Sequence, residues 1–254
     1  MKKIGIGVIG WGFMGRTHTF SIKTMPLHYN LDFEPRLIGI CSRRLEKAEQ
    51  AAREQGFKYA TDDYHKLLAD PEIDVVSICT PNNLHEQMAL DAIAAGKNVY
   101  IDKPLSINYE SARRIADAAR AAGVKAQLAL NNRFFPSTML AHELVTSGKL
   151  GRVTSFSAEY LHSGSVDPDR PIGWKQDYDA CGGGVLLDLG SHALDLVIWM
   201  CGKVDSIDCI TQTLYSERPT AGGGRTSNLG EARALMLLQL ENYAYQVLDL
   251  GKDV

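Results

Sequence analysis

Along the first half of the chain, short apolar runs alternate with stretches whose apolar residues recur every three or four positions. Ile4, Ile6, Val8 and Ile9 open the pattern and lead into Gly10, Gly12 and Gly15, after which Phe13, Thr17 and Phe20 fall at i, i+4 and i+7. That reads as strand, tight turn, helix. Residues 36–41 (RLIGIC) predict a second strand, and LEKAEQAAREQG a solvated helix stopped by Gly56. Thr61 or Asp62 is placed to cap a short helix through Leu67 and Leu68, closed by Asp70-Pro71. Residues 75–79 form a buried parallel strand ended by Thr80-Pro81, and the helix that follows presents Leu84, Met88 and Ala92 and stops at Gly96. A strand at 98–101, a helix at 108–122 ended by Gly123 and a strand at 125–130 complete the half. Such alternation signals an α/β doubly wound parallel sheet.

The pattern changes at about residue 127. A helix at 136–147 ends at Gly148, and Phe156, Ala158 and Tyr160 alternate with polar neighbours as in a strand with one wet face. A polar loop over 162–184 precedes the strongly helical VLLDLGSHALDLVIWM. Strands at 204–214 and 234–240 flank a loop rich in Gly, Thr and Ser. The expectation is an N-terminal domain over 1–126 and an α+β domain over 127–254 with an open, mainly antiparallel sheet.

The glycines give the first unit its chemistry. At G-x-G-x-x-G spacing, Gly10 permits the turn, Gly12 lets the backbone approach a pyrophosphate, and Gly15 lets helix and strand pack closely. The helix start, with Phe13 and Met14, offers free N–H groups and a positive dipole end to an anion. This predicts a Rossmann domain that binds NAD or NADP. An acidic residue after the second strand would favour NAD. Ser42, Arg43 and Arg44 stand there instead, and guanidinium groups suit a 2′-phosphate, so NADP is preferred. The same arginines also read as the start of a solvated helix, and Arg43 can serve both.

Bulk properties narrow the classes. The chain has 254 residues, 45% hydrophobic and 22% charged, enough for a proper core. A formal net charge of -3 gives no reason to expect nucleic acid or an anionic membrane as partner. No apolar run is expected to approach the roughly 20 residues of a membrane helix. Met1-Lys2-Lys3 before an apolar run faintly imitates a signal peptide, but glycines break the run and no small-residue cleavage site follows. Five scattered cysteines, Cys41, Cys79, Cys181, Cys201 and Cys209, fit reduced thiols in a cytoplasmic protein, with neither disulfide framework nor metal site.

The helix near residue 190 is the second informative stretch. It is apolar almost all round except for Asp188, Ser191, His192 and Asp195, at i, i+3, i+4 and i+7. A solvated stripe would carry Lys, Glu or Arg. Short Asp and His groups between apolar walls suit a cleft, where Asp188 and His192 can meet one small molecule or tune each other's proton affinity. Lys103 falls at a strand end, on the side where open α/β sheets bind ligands, but a lysine before a proline is by itself an ordinary surface residue.

Together GVIGWGFMG, TPNNLH, DKP and GGGVLLDLGSHALDL, in this order and spacing, resemble the Gfo/Idh/MocA oxidoreductases, and the resemblance covers essentially the whole chain. It implies an NAD(P)-dependent dehydrogenase or reductase that moves hydride between nicotinamide and a secondary alcohol or ketone of a sugar, polyol or related hydroxy compound. Lys103, Asp188 and His192 are then the groups at the reacting carbon: His192 as base or acid, Lys103 on the reacting oxygen, Asp188 orienting the substrate. Thr80, Pro81, Asn82 and His85 line the cofactor side, with His85 reading equally as structural. Asp102 and Lys103 also belong to the cofactor side, and Asp102 stands where the family usually has Glu. The stretch NNRFFP places Asn131, Asn132 and Arg133 near the cleft, and Trp174-Lys175 resembles another substrate-side segment. Two other functions fit the same residues: an NAD-dependent glycosidase of the family, and a non-catalytic NADP-binding regulatory protein. The resemblance also implies a homo-oligomer. Relatives continue past this length, so the chain reads as truncated, with open sheet edges, and Tyr243 in ENYAY stands where relatives often have a turn glycine.

Overall fold

The computed structural model describes residues 1–164, 166–230, 232–240 and 246–251. Tyr243 and the last three residues of the chain lie outside the described residues. The fold divides into two units, Met1–Ala129 and Leu130–Val254.

In the first unit the elements run β1 (Lys2–Ile9), α1 (Phe13–His28), β2 (Phe33–Cys41), α2 (Leu45–Gln55), β3 (Tyr59–Thr61), α3 (Tyr64–Ala69), β4 (Val75–Ile78), α4 (His85–Ala94), β5 (Asn98–Asp102), α5 (Tyr109–Ala122) and β6 (Ala126–Ala129). The strands form one parallel sheet in the order β3-β2-β1-β4-β5-β6. The chain leaves β1 for β2 on one side and later returns to β4 on the other. That reversal opens a crevice at the carboxyl ends of β1 and β4, where such sheets bind ligands. Two apolar clusters close the layers. Ile9, Ile38, Leu67, Ile78, Ile101 and Ile115 belong to one, and Ile6, Val8, Ile40, Ala48, Ala51 and Phe57 to the other.

Three details depart from the sequence reading. The first concerns which face of α1 is buried. Phe13 and Phe20 are 82% and 67% exposed, whereas Gly15, His18 and Thr19 are buried and Ile22 packs on the core. Gly15 sets this rotation. It rests against the turn, so positions three, four and seven residues on face inward, and the Phe13–Phe20 stripe faces out. Second, Thr61 belongs to the short strand β3, and the cap of α3 is Asp63, whose side chain accepts from His65 N–H at 3.0 Å. Third, α4 buries His85, Ala89, Ala92 and Ile93, while Leu84 is exposed in the 3₁₀ turn Asn82–Leu84 before it.

The second unit contains α6 (Pro136–Thr146), β7 (Ser157–Leu161), α7 (Tyr178–Cys181), α8 (Ser191–Cys201), β8 (Val204–Gln212), β9 (Arg218–Pro219), β10 (Arg225–Thr226), β11 (Arg233–Leu240) and β12 (Gln246–Gly251). Its four-stranded sheet has the order β7-β12-β11-β8. The β11 pairings are antiparallel, and β12 pairs with β7 in parallel. The sheet is therefore open and mainly antiparallel. The sequence pattern missed β12, whose residues fill the place between β7 and β11. Ala193, Val197 and Cys201 of α8 pack against Ala234, Met236 and Leu238 of β11.

The helix containing α8 is longer than its apolar run suggested. Tyr178–Cys201 forms a near-continuous helical stretch of 24 residues with a mean hydropathy of 1.4 over its most apolar window, enough to cross a membrane by length and composition alone. One side of it, with Ala193, Val197 and Cys201, packs in the α8–β11 core, and 39% of that window is buried.

Candidate functional site

The first unit builds the nucleotide end around the β1–α1 turn. Gly10 has φ +100°, and a Cβ there would lie 2.5 Å from the Cys79 carbonyl oxygen. A Cβ on Gly15 would lie 2.0 Å from the Gly10 carbonyl oxygen, so any side chain would force the helix off the turn. Gly12, the N-cap of α1, has nothing within 4 Å of a Cβ built there. The helix start is thus open on one side, and the first-turn N–H groups, Phe13 and Met14 among them, have no partner within the helix. This cradle fits a dinucleotide pyrophosphate. When bound, the nicotinamide dinucleotide supplies a hydride acceptor or donor.

At the end of β2, Ser42 N–H donates to the Thr61 carbonyl at 3.1 Å, which fixes the turn. Arg43 and Arg44 follow, both exposed, and Arg44 is the N-cap of α2. Guanidinium groups there are available to solvent and to a bound phosphate alike.

The β4 and β5 ends carry the other candidates. Thr80 Oγ1 lies 3.6 Å from Met88 Sδ, Pro81 caps the 3₁₀ turn, and Asn82 is buried within it. Lys103 is half-buried, and the Lys103-Pro104 peptide bond is cis. Its backbone N–H donates to Asp102 Oδ1 at 2.9 Å. His85 is wholly buried, with Nδ1 2.9 Å from the Pro104 carbonyl oxygen and Nε2 2.9 Å from that of Thr80.

Beneath these residues lies a buried polar group that the sequence reading overlooked. His18 Nδ1 is 2.9 Å from Ser77 Oγ and 3.2 Å from Cys79 Sγ, and its ring stacks obliquely on Tyr100 at 5.0 Å. Burial pushes Asp102 above the ordinary carboxylate range, and attraction to His18, Lys103 and His85 pulls it back. Burial likewise lowers His18, against the pull of Asp102. It raises the Cys79 thiol to about 12, so Cys79 is a packed thiol and no nucleophile. The only sequence signal for this group was a polar residue, Ser77, inside an otherwise apolar strand, with a histidine three positions after Gly15.

In the second unit, Leu186–Gly190 forms a π-helical turn immediately before α8. Single π turns in α-helices often occur at functional sites. Here the wider turn carries Asp188, and His192 follows, buried, in the first turn of α8. Lys175 Nζ contacts both Asp188 oxygens, at 3.0 and 3.1 Å, and stands 5.8 Å from the Trp174 ring. The two residues singled out before the helix and the acid within it are therefore brought together. Tyr160 lies alongside, its ring 6.3 Å from that of His192.

The last residue of the polar stripe, Asp195, is held by Arg133. The guanidinium donates Nε to Oδ2 at 2.7 Å and Nη2 to Oδ1, and it also lies 5.6 Å from the Trp199 ring, which stacks on His142. The hydrogen-bonded Asp195 carboxylate raises the Arg133 pKa above its ordinary value. The stripe is thus no solvated face: its two carboxylates are paired and its imidazole is buried.

The polar loop before this helix is not independent either. Arg218, 5% exposed, lies under Tyr215 and donates to the Asp167 carbonyl at 2.7 Å, while Tyr215 Oη donates to the Val166 carbonyl. Ile172 N–H bonds Pro219 O at 2.9 Å, and Gly230 N–H bonds Gln176 O at 2.9 Å. A cavity of about 150 Å³ between the two loops is lined by Arg170, Ile172, Gln176 and Arg218 among others.

Comparison with known proteins agrees with both halves. A family model described as "Oxidoreductase family, NAD-binding Rossmann fold" matches residues 4–130, and one described as "GFO/IDH/MocA C-terminal domain" matches 138–252. Levoglucosan dehydrogenase of Pseudarthrobacter phenanthrenivorans is 33% identical over 234 residues, covering 92% of this chain and 60% of that protein. Myo-inositol 2-dehydrogenase of Thermotoga maritima is 28% identical over 96% of this chain and 67% of its own length. A solved structure of levoglucosan dehydrogenase with NADH superposes with a TM-score of 0.94 at 30% identity, over 98% of this chain and 66% of that one. The chain therefore spans about two thirds or less of these relatives. With the glycine cradle, the π turn and both family matches in place, the chain belongs to the Gfo/Idh/MocA family of oxidoreductases.

Proposed function

We propose that this chain carries out NADP-preferring hydride transfer to or from a secondary alcohol or ketone of a sugar, polyol or related small hydroxy compound. The observation that carries the chemical half is the π turn, with Asp188 paired to Lys175 and His192 buried four residues on. In this reading His192 takes the hydroxyl proton as hydride leaves carbon, or returns it in reduction. Lys103 hydrogen-bonds the reacting oxygen and offsets its developing charge. Asp188 orients the substrate and, as an anion, favours the imidazolium form of His192. Lys175, Trp174 and Arg133 serve the substrate side, and Arg43 and Arg44 take the 2′-phosphate. The names of the relatives, which act on levoglucosan, a glucoside or myo-inositol, support a cyclic polyhydroxy substrate.

A cofactor and polyol screen tests this. Thermal shift with NAD, NADP and a sugar–polyol library is followed by turnover of wild type, Lys103→Ala and His192→Ala. Both variants should bind cofactor and lose hydride transfer. Near-wild-type turnover in both would refute the assignment. Glycoside cleavage with no net cofactor turnover would assign the chain to glycosidase chemistry instead.

A further inference from the structure

His85 has an arrangement that the proposed chemistry leaves unused. The ring is wholly buried at the start of α4, and its two nitrogens each lie 2.9 Å from a backbone carbonyl oxygen, Thr80 on one side and Pro104 on the other. Thr80 follows β4 and Pro104 follows β5. The ring thus bridges two strand-end segments of one sheet, and the second begins at Lys103.

We propose that His85 is a positioning residue: by gripping the Pro104 and Thr80 carbonyls together, it holds the turn that bears Lys103 in register with the segment after β4. The inference rests on the reading of Lys103 as the group that meets the reacting oxygen.

The chemistry of the ring makes the grip depend on a proton. A neutral imidazole has one N–H, and a carbonyl oxygen can only accept. Two donated bonds need the imidazolium. The neutral ring keeps one carbonyl and turns a lone pair toward the other. Asp102 is the anionic group that acts on His85, and His18 and Lys103 act in turn on Asp102. Cys79 and Tyr100, the other titratable groups around Asp102, are kept neutral by burial. Burial lowers the His85 pKa, while the Thr80, Pro104 and Leu105 backbone and Asp102 work against it. The two-bond grip therefore belongs to the acidic side, and one bond is lost as pH rises through the value for His85.

The Asp at position 102 fits this role. Its short side chain is buried and accepts from the Lys103 backbone N–H, so it orients the same turn that the ring holds.

The test joins spectroscopy to kinetics on the full chain. Imidazole ¹⁵N–¹H spectra of wild type are recorded from pH 5 to 8, with His85→Gln identifying the resonance. The pH profile of kcat is measured with NADP and levoglucosan or myo-inositol as probe substrates. One buried imidazole should show two N–H groups at the acidic end and one at the alkaline end. His85→Gln should lower kcat about tenfold or more, change the NADP Kd less than threefold, and remove one step from the kcat profile. A single N–H at every pH overturns the grip, and so does an unchanged kcat profile in the variant. If His85→Gln does not fold, His18→Gln and His192→Gln, which remove the other two buried imidazoles among the described residues, identify the His85 resonance in the wild-type spectra by elimination. Full turnover in Lys103→Ala would instead overturn the catalytic reading while leaving the spectra as expected, so the two failures are distinct.

Discussion

Arg133 and Asp195 hold each other through both guanidinium edge nitrogens and both carboxylate oxygens, one on the 3₁₀ turn Asn131–Phe134 and the other on α8. The Asp195 side chain is only 9% exposed, so removing its partner strands a nearly buried charge. Arg133→Ala is expected to cost about 1–3 kcal/mol, below the range for fully buried pairs because the arginine is partly solvated. Asp195→Asn in the same background should recover part of the loss. Urea unfolding of both single variants and the double variant measures the coupling, and simple additivity would show that the pair contributes nothing.

The three glycines of the β1–α1 turn should separate by phenotype. Gly15→Ala drives a Cβ into the Gly10 carbonyl and should destabilise the fold by about 2 kcal/mol or more, through overpacking that backbone cannot relieve. Gly12→Ala meets open space. It should fold with a cost within about 1 kcal/mol and weaken dinucleotide binding by tenfold or more, since the added methyl occupies the approach to the helix start. Calorimetric titration with NAD and NADP beside thermal melts distinguishes the two. Equal loss of stability in both variants would contradict this division of roles.

The first unit was legible because each of its signals is local. Apolar runs, stop glycines and the G-x-G-x-x-G spacing fix the strands, helices and turn without reference to distant residues. The face of α1 was misread because Phe13, Thr17 and Phe20 match helical spacing, yet the contact of Gly15 with Gly10 decides which side faces the sheet. Strand β3 is three residues long, too short for a periodic signal. In the second unit the polar stripe announced itself, but its partners did not. Lys175 reaches Asp188 across 13 residues and Arg133 reaches Asp195 across 62, distances over which residue type alone carries no pairing information. The buried His18–Ser77 contact spans 59 residues and was equally hidden.

Cofactor choice can be tested at the exposed arginines after β2. Arg43→Ala with Arg44→Ala should weaken NADP by about 100-fold or more and leave NAD within about threefold, because each charged hydrogen bond to phosphate is worth roughly 1.5–3 kcal/mol and NAD lacks that phosphate. Competitive binding of the two dinucleotides measures the ratio. A parallel loss for both would place the arginines on a shared part of the cofactor or outside the site.

Stability should fall on mild acidification. Burial lowers the pKa of His18 in the folded chain, so the unfolded chain takes up the proton first. The stabilisation is complete above the unfolded value of about 6.5 and is lost as pH falls toward the folded one. Asp102, raised by burial, has the opposite slope, with its contribution fading as pH rises through its own folded value. The wild-type urea midpoint should drop between pH 7 and 5, and His18→Gln should flatten that drop. An unchanged slope in the variant would mean that His18 binds its proton equally well in the folded and unfolded chains, and a steeper drop would mean that the fold favours its charged form.

The stitching of the loop around residues 162–181 to the one around 215–230 has a consequence for redesign. Arg218, Tyr215, Pro219 and Gly230 each support backbone in the earlier segment, through the hydrogen bonds to Asp167, Val166, Ile172 and Gln176. A graft of the earlier loop alone would bring its new sequence onto supports shaped for the old one. Each segment should keep its conformation only when both are transferred together, so the pair, some fifty residues apart in sequence, is a single structural module.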